Sequence, residues 1–334
     1  MVGLESLAAH GRKALQNARL TAGVFISGLV LVLSGCASLV PQTAALREGL
    51  PDALPKEVEL KQVPFFPQLD YQCGPAALAT ALDTFGAKVT PEQLVPEVYL
   101  PARQGSLQVE MLAAPRRHGM VSYLLSPRMV DMMKEVAAGN PVIVLQNLGL
   151  SDGWHYAVVV GYDYDKGDLI MRSGLAERET LNFAVHEFVW MRSGYWAMVA
   201  LPPDRIPVTA DESRWLSAVA ALEHAGDARN ARVAYETFLK RWPENVNAAI
   251  GLANTLHALG ELAGAEKVLR DAEHRAPDSV IVLNNLAQTL SDEGRDEEAL
   301  PFRDRAVAAG GPFVDAARET RAEIQKRLAA KRHN

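Results

Sequence analysis

A repeat of fixed period in the last third of the chain constrains its fold most. Gly226, Gly260 and Gly294 stand 34 residues apart. Leu222, Leu256 and Leu290 keep the same step, as do Ala231, Ala265 and Ala299, and Pro243 and Pro277. A unit of this length is one supersecondary element that cannot bury its apolar face alone, so successive units must stack. The small residues suit helix crossings, and the prolines suit the end of each unit. Pro202-Pro203 and Pro207 precede the repeat and mark a boundary. Beyond it Ala, Leu, Glu and Arg dominate.

These columns resemble tetratricopeptide repeats. The resemblance implies three helix pairs at about 212–245, 246–279 and 280–312, and a polar capping helix at 313–330. It also implies an all-α solenoid whose concave face binds peptides or partner proteins and does no chemistry. Asn247, Asn254, Asn284 and Gln288 fall on first helices, where they either clamp a peptide backbone or stand as ordinary solvated residues.

The whole chain has 334 residues, a formal net charge of −6 and 49% hydrophobic residues. That is room for two ordinary domains. It lacks the basic excess that nucleic acid would call for. With two cysteines, Cys36 and Cys73, there is no disulfide framework, and each needs its own explanation.

Arg12, Lys13 and Arg19 precede the apolar run LTAGVFISGLVLVL at 20–33. Its fourteen residues fall short of the roughly 20 that a membrane-spanning helix needs. They match the charged and apolar regions of an export signal. The run ends in Leu33-Ser34-Gly35-Cys36, which resembles the lipobox of bacterial lipoproteins. The resemblance implies removal of 1–35 and lipidation of Cys36. Ala37 rather than Asp follows it, which in Gram-negative bacteria favours the outer membrane, facing the periplasm. The alternative is a plain signal anchor. Residues 36–62, punctuated by Pro41, Pro51 and Pro55, read as a tether. If flexible, such a segment spans roughly 30 Å.

Cys73 is then the one free thiol. It opens the run CGPAALATALDTF, a strong helix former closed by Gly86. Proline is tolerated in a first turn because its missing N–H is not needed there. A thiol at a helix N-terminus meets unpaired amides and the positive end of the dipole, which favour thiolate. The expectation is a lowered pKa and a nucleophile near neutral pH.

A thiol nucleophile needs a base. Residues 63–205 hold His118, His155 and His186. His118 reads as a surface cap at a helix end, and His186 lies near the start of a helix or strand. His155 heads WHYAVVVGYD, an apolar β-branched run that reads as a buried strand.

The CGPAALATAL helix start, GNPVIVLQN at 139–147 and HYAVVVGYD at 155–163 resemble the papain-like C39-like cysteine peptidases. That group includes the enzymes that remove double-glycine leaders from bacteriocins. The resemblance covers about 63–200. It implies Cys73 as nucleophile, His155 as general base and Gln68 as donor to the oxyanion. Gln68 precedes the cysteine by five residues where the family has six; Gln72 is the weaker candidate. The family's Asp-Pro, which orients the base, is replaced by Arg172-Ser173. Ser173, Asp163, Asp168 and Asn182 are alternative acceptors, and the sequence does not choose among them.

Short helices are expected at 91–99, at 106–119 and from Ser126, its N-cap, to about Ala138. Strands are expected at 142–147, 155–163 and 168–172, with 195–201 closing the sheet. This order, helices before an antiparallel sheet, is an α+β pattern. Trp154 and Trp196 read as packing residues. No metal or nucleotide motif appears, so no cofactor is expected. Nor does the sequence carry the segments of a transporter-fused form. The resulting expectation is a membrane-anchored cysteine peptidase whose repeats recruit a protein substrate or partner. The alternative is a non-catalytic, peptide-binding scaffold lipoprotein with a degenerate peptidase fold.

Overall fold

The computed structural model describes residues 39–68, 72–149, 153–311 and 313–333. The signal peptide expected at 1–35 and the lipidation site Cys36 lie outside the described residues.

In chain order the first half comprises α1 (Pro41–Glu48), β1 (Glu57–Glu59), α2 (Cys73–Asp83), α3 (Pro91–Val98), β2 (Tyr99–Leu100), β3 (Gly105–Ser106), α4 (Gln108–Arg117) and β4 (Val121–Leu124). Then come α5 (Met129–Ala137), β5 (Val142–Asn147), β6 (Trp154–Asp163), β7 (Asp168–Ser173), β8 (Ala176–Asn182), α6 (Phe183–Trp190) and β9 (Ala197–Leu201). One antiparallel sheet runs β4-β9-β5-β6-β7-β8, and β2 and β3 make a separate hairpin. β9 therefore lies inside the sheet, between β4 and β5, rather than closing it. Its five residues are all buried, as are Val142–Gln146 of β5 and Tyr156–Tyr162 of β6. Strands covered on both faces read as continuous apolar runs, which is why these three were visible in the sequence. α2 packs on β6, β5 and β9, and Gly74 through Leu82 are all buried.

Residues 41–62 are not a free tether. α1 seats its first turn on α6: the amides of Gln42 and Thr43 donate to Glu187 Oε1 and Oε2 at 2.8 and 2.6 Å. Gln42 Oε1 accepts from Met129 N at 2.6 Å, and the Tyr164 hydroxyl donates to the Leu46 carbonyl at 2.6 Å. Further on, β1 pairs with Gly161–Asp163 of β6. Leu46, Leu54 and Leu60 are buried along the way. Prolines break periodicity without preventing burial, and three leucines are enough to fasten this segment to the body.

The second half is helical throughout: α7 (Glu212–His224), α8 (Ala228–Arg241), α9 (Val246–Ala258), α10 (Leu262–Arg275), α11 (Val280–Asp292), α12 (Asp296–Ala309) and α13 (Val314–His333). These are the expected pairs and cap. Gly226, Gly260 and Gly294 each hold φ between 77° and 91° at the turn inside a pair, a conformation that costs glycine little. Ala231, Ala265 and Ala299 are fully buried at the crossings.

The two halves are locked together. Trp215 is fully buried and meets Tyr123 edge-on, with ring centroids 5.7 Å apart. The Asp211 amide donates to the Tyr123 hydroxyl at 3.1 Å, and Arg214 donates to Ser126 Oγ at 2.9 Å and to the Leu124 carbonyl. Thr209 gives Glu135 Oε1 both its amide and its hydroxyl, at 2.7 and 2.6 Å. Ser126 is thus engaged by the repeats, and α5 starts three residues later, with Arg128 at the N-cap.

Candidate active site

Cys73 is the first residue of α2 and is half-buried. Pro75 is the third, still within the turn whose amides have no intrahelical partner, so its missing donor is not missed. Gly74 is required by close approach. A Cβ there would stand 2.6 Å from Ser106 Cβ and closer still to Ser106 Oγ, on the β2–β3 hairpin. The same Ser106 accepts a hydrogen bond at its carbonyl from the Tyr156 hydroxyl at 3.2 Å. Its own Oγ is buried without a partner. The hairpin thus wedges the start of α2 against β6.

His155 is the second residue of β6, opposite Gln146 of β5. Its Nε2 lies 3.0 Å from Ser173 Oγ at the end of β7. With the proton on Nε2, Ser173 accepts it and Nδ1 keeps its lone pair for the role of base. Arg172 cannot compete: its guanidinium turns to the carbonyls of Glu177 and Val63, at 2.5 and 3.3 Å. The other acceptors left open by the sequence lie at the opposite end of the β6–β7 hairpin. Asp163 holds Lys166 at 2.5 Å, and Asp168 faces Asn182, which caps α6. Ser173 is therefore the one of these acceptors that meets the imidazole.

The thiol of Cys73 faces the main-chain N–H of Tyr156, the residue after His155, and the amides of Gly74 and Cys73 itself. Burial outweighs these three donors and pushes the thiol above its ordinary 9.0. This corrects the sequence expectation of a lowered thiol pKa: desolvation of the thiolate exceeds the help from the helix end. Burial also holds His155 below its ordinary 6.5, with the Glu179 carboxylate opposing the effect. At neutral pH the resting pair is thiol and neutral imidazole.

Gln68 reaches the same locus. Its amide N–H donates to the Gly174 carbonyl at 3.0 Å, and its side-chain Nε2 donates to the Tyr156 carbonyl at 3.3 Å. Its Nε2 carries two hydrogens, and the Tyr156 carbonyl takes one of them. Cys73, Gln68, His155 and Ser173 thus converge around the first residues of β6.

The other two histidines of this half are spent elsewhere. His118 ends α4 and pairs with Glu97 at 2.9 Å. His186 is fully buried, accepts at Nδ1 from Gln146 Nε2 at 2.9 Å, and is driven by burial to a pKa of about 3. Trp196 is buried against Tyr156, edge-on at 5.6 Å, whereas Trp154 is exposed. Ser106 was not singled out in the sequence, where a lone serine in a loop carries no signal.

In the repeats, a cavity of about 220 Å³ lies between α9 and α11, lined among others by Asn254, His257, Asn284 and Gln288. Asn285 Nδ2 donates to Asn254 Oδ1 at 3.0 Å, and Gln288 donates to Asp292 at 2.9 Å. Asn284 Oδ1 is buried without a partner. Asn247 is exposed and does not line the cavity.

Residues 60–195 match the family model of the C39-like peptidases, and residues 222–281 match that of the tetratricopeptide repeats. No curated protein matches. Among solved structures, a Bacillus anthracis protein assigned to the C39-like peptidases aligns at 18% identity and a TM-score of 0.38, over 44% of this chain and 98% of that one. A double-glycine-motif protease of an AMS/PCAT transporter, solved with its leader peptide, aligns at 18% identity and a TM-score of 0.34, over 43% and 94% of the two chains. A tetratricopeptide-repeat protein of Thermus thermophilus aligns at 19% identity and a TM-score of 0.33, over 35% and 66%.

Proposed function

Starting from a chain that carries a C39-like peptidase domain followed by tetratricopeptide repeats, we propose that it is a membrane-anchored cysteine peptidase acting at Cys73. The observation that carries this reading is the 3.0 Å contact of His155 Nε2 with Ser173, beside a helix-start cysteine whose sulfur faces the amide of Tyr156.

His155 Nδ1 takes the thiol proton as sulfur attacks the carbonyl carbon of the substrate. The Gln68 side-chain N–H steadies the oxyanion. The C–N bond then breaks, and the amine leaves with the proton from His155. Water, deprotonated by the same imidazole, hydrolyses the thioester and restores the thiol. The repeats recruit the protein substrate or a partner that delivers it. Lipid on Cys36 holds the enzyme to the outer membrane, on its periplasmic side.

The test compares new protein N-termini in cells carrying the full chain, its Cys73→Ala variant or its His155→Ala variant. The expected result is a set of termini lost in both variants. A set that is the same in all three would overturn the assignment. Mass spectrometry of the mature N-terminus decides lipidation: a diacylated Cys36 supports it, and a chain still starting at Met1 ends it. One observation favours the alternative of a peptide-binding scaffold, namely that a buried thiol with a serine-held base is a weak nucleophile. Peptide binding that survives Cys73→Ala with no turnover in either form would establish that reading.

A further inference from the structure

We infer that the face of α11 and α12 beneath α13 is a docking site for an acidic amphipathic helix, and that α13 is its displaceable stand-in. This holds whatever the chemistry at Cys73. Tyr235, Leu269 and Arg303 keep the 34-residue step on the second helices α8, α10 and α12. Residues of this column meet the first helix of the next unit. A Cβ at Gly251 of α9 would strike the Tyr235 ring, and Leu269 lines the cavity together with Asn285 of α11. For Arg303 the next helix is α13, which packs on α12 and α11. Tyr235 and Leu269 are buried, and Arg303 is buried completely. Yet its Nε, Nη1 and Nη2 have no hydrogen-bond partner among the described residues. Burial pulls its pKa down to about 10, so the guanidinium stays charged at neutral pH.

The acids nearby do not answer that charge. Asp304 pairs with Arg321 at 3.1 Å, and Glu319 and Glu323 of α13 are exposed. Ala306 of α12 meets Ala317 of α13 in a small cluster with Leu283, apart from the main core. The two helices run back along each other after a short turn. Arg303, one turn before Ala306, therefore comes level with Thr320, one turn after Ala317. The Thr320 hydroxyl donates to the Ala316 carbonyl of its own helix at 3.1 Å. A carboxylate is missing at the one level where it would fork onto the guanidinium.

A buried cation left unpaired works against the helix that buries it. Little opposes this in α13. Ala317, Ile324 and Leu328 are its buried apolar residues, and its ion pairs, Arg321 with Asp304 and Arg327 with Asp292, are open to water. A partner helix with the same apolar spacing and a Glu or Asp in the place of Thr320 would cover the same face and pair with Arg303. Charge complementarity thus names the occupant. The tethered α13 competes at high effective concentration, so a helix without that carboxylate does not displace it.

Hydrogen exchange on the full chain tests the lid, and a dye-labelled peptide of residues 313–333 tests the site. Amides of α13 should exchange about a hundredfold faster than those of α11 and α12. Exchange as slow as theirs would overturn the proposal. Thr320→Glu should slow α13 exchange about tenfold, and should not do so in an Arg303→Leu background. Leucine is the residue of this column in the preceding unit, and Arg303→Met repeats the readout if Arg303→Leu fails to fold. The peptide carrying Thr320→Glu should bind the wild-type chain about tenfold tighter than the unaltered peptide, a preference lost in Arg303→Leu. Equal binding of the two peptides overturns the docking site. If inorganic phosphate alone slows α13 exchange as much, the site belongs to a free anion and the proposal fails. It fails equally if the chain dimerises by exchanging α13, because the face then belongs to a second copy.

Discussion

Replacing Ser173 with aspartate should convert a resting site of two neutral groups into one that holds some ion pair. His155 Nε2 lies 3.0 Å from Ser173 Oγ, so an aspartate there brings a carboxylate to about 4 Å from the imidazolium charge. At an effective dielectric near 20 that attraction is worth roughly 4 kcal/mol. The position is 8% exposed, so burying a carboxylate there costs a few kcal/mol, and a net gain of about 1–2 kcal/mol remains. That is about tenfold in the population of imidazolium with thiolate. The sign follows from the two groups. Burial raises the Cys73 thiol and lowers His155, so wild-type alkylation by iodoacetamide should climb only on the alkaline side, above the ordinary thiol value of 9.0. Ser173→Asp raises His155 and draws the thiol down, so labelling at pH 6–7 should rise about tenfold, with peptide cleavage rising alongside. Ser173→Asn, a neutral acceptor, should not reproduce the gain. A Ser173→Asp protein that melts like wild type and labels with the same pH profile would refute the claim that this contact governs the base.

Three further outcomes follow from the packing. Gly74→Ala forces a methyl group into Ser106 and should cost about 1–3 kcal/mol in stability and most of the thiol chemistry, read by thermal melting and by Cys73 labelling. Glu187→Gln leaves one of two amide donors facing an NH₂ group, so hydrogen exchange at Gln42 and Thr43 should speed up by about a hundredfold for roughly 3 kcal/mol lost, while core amides of β5 and β6 stay protected. Trp215→Ala empties a fully buried site between the halves and should cost about 3–5 kcal/mol, lowering one shared melting transition rather than splitting off the repeats.

Much of this was legible because burial and repetition leave strong marks. β5 and β6 are apolar along their length, and the repeat glycines mark turns that need positive φ. β8, by contrast, reads AERETLN and is largely exposed at the sheet edge, so its sequence gives no strand signal. β1 has three residues and β4 four, too short for a period. The strap at 41–62 reads as a tether when its prolines are weighed and its leucines are not. In the site, Cys73 and His155 stood out by type and place. Ser173 did not, because a serine beside an arginine is ordinary and only the turn of Arg172 toward Glu177 and Val63 leaves it facing the imidazole. The thiol's pKa runs against the sequence expectation because helix-end electrostatics can be seen in sequence and desolvation cannot.

If the chain is the peptidase proposed above, the clasp of Trp215 on Tyr123 turns it into a gauge. With the repeats unable to swing, the path from the cavity between α9 and α11 to the sulfur of Cys73 has one length, set by the fold. A polypeptide gripped at the far end and drawn out straight covers about 3.3–3.6 Å per residue. The bond that reaches the sulfur is then chosen by counting residues from the grip. Residues added to or removed from the intervening stretch of a substrate should move the cut along its sequence, keeping the count and changing the bond.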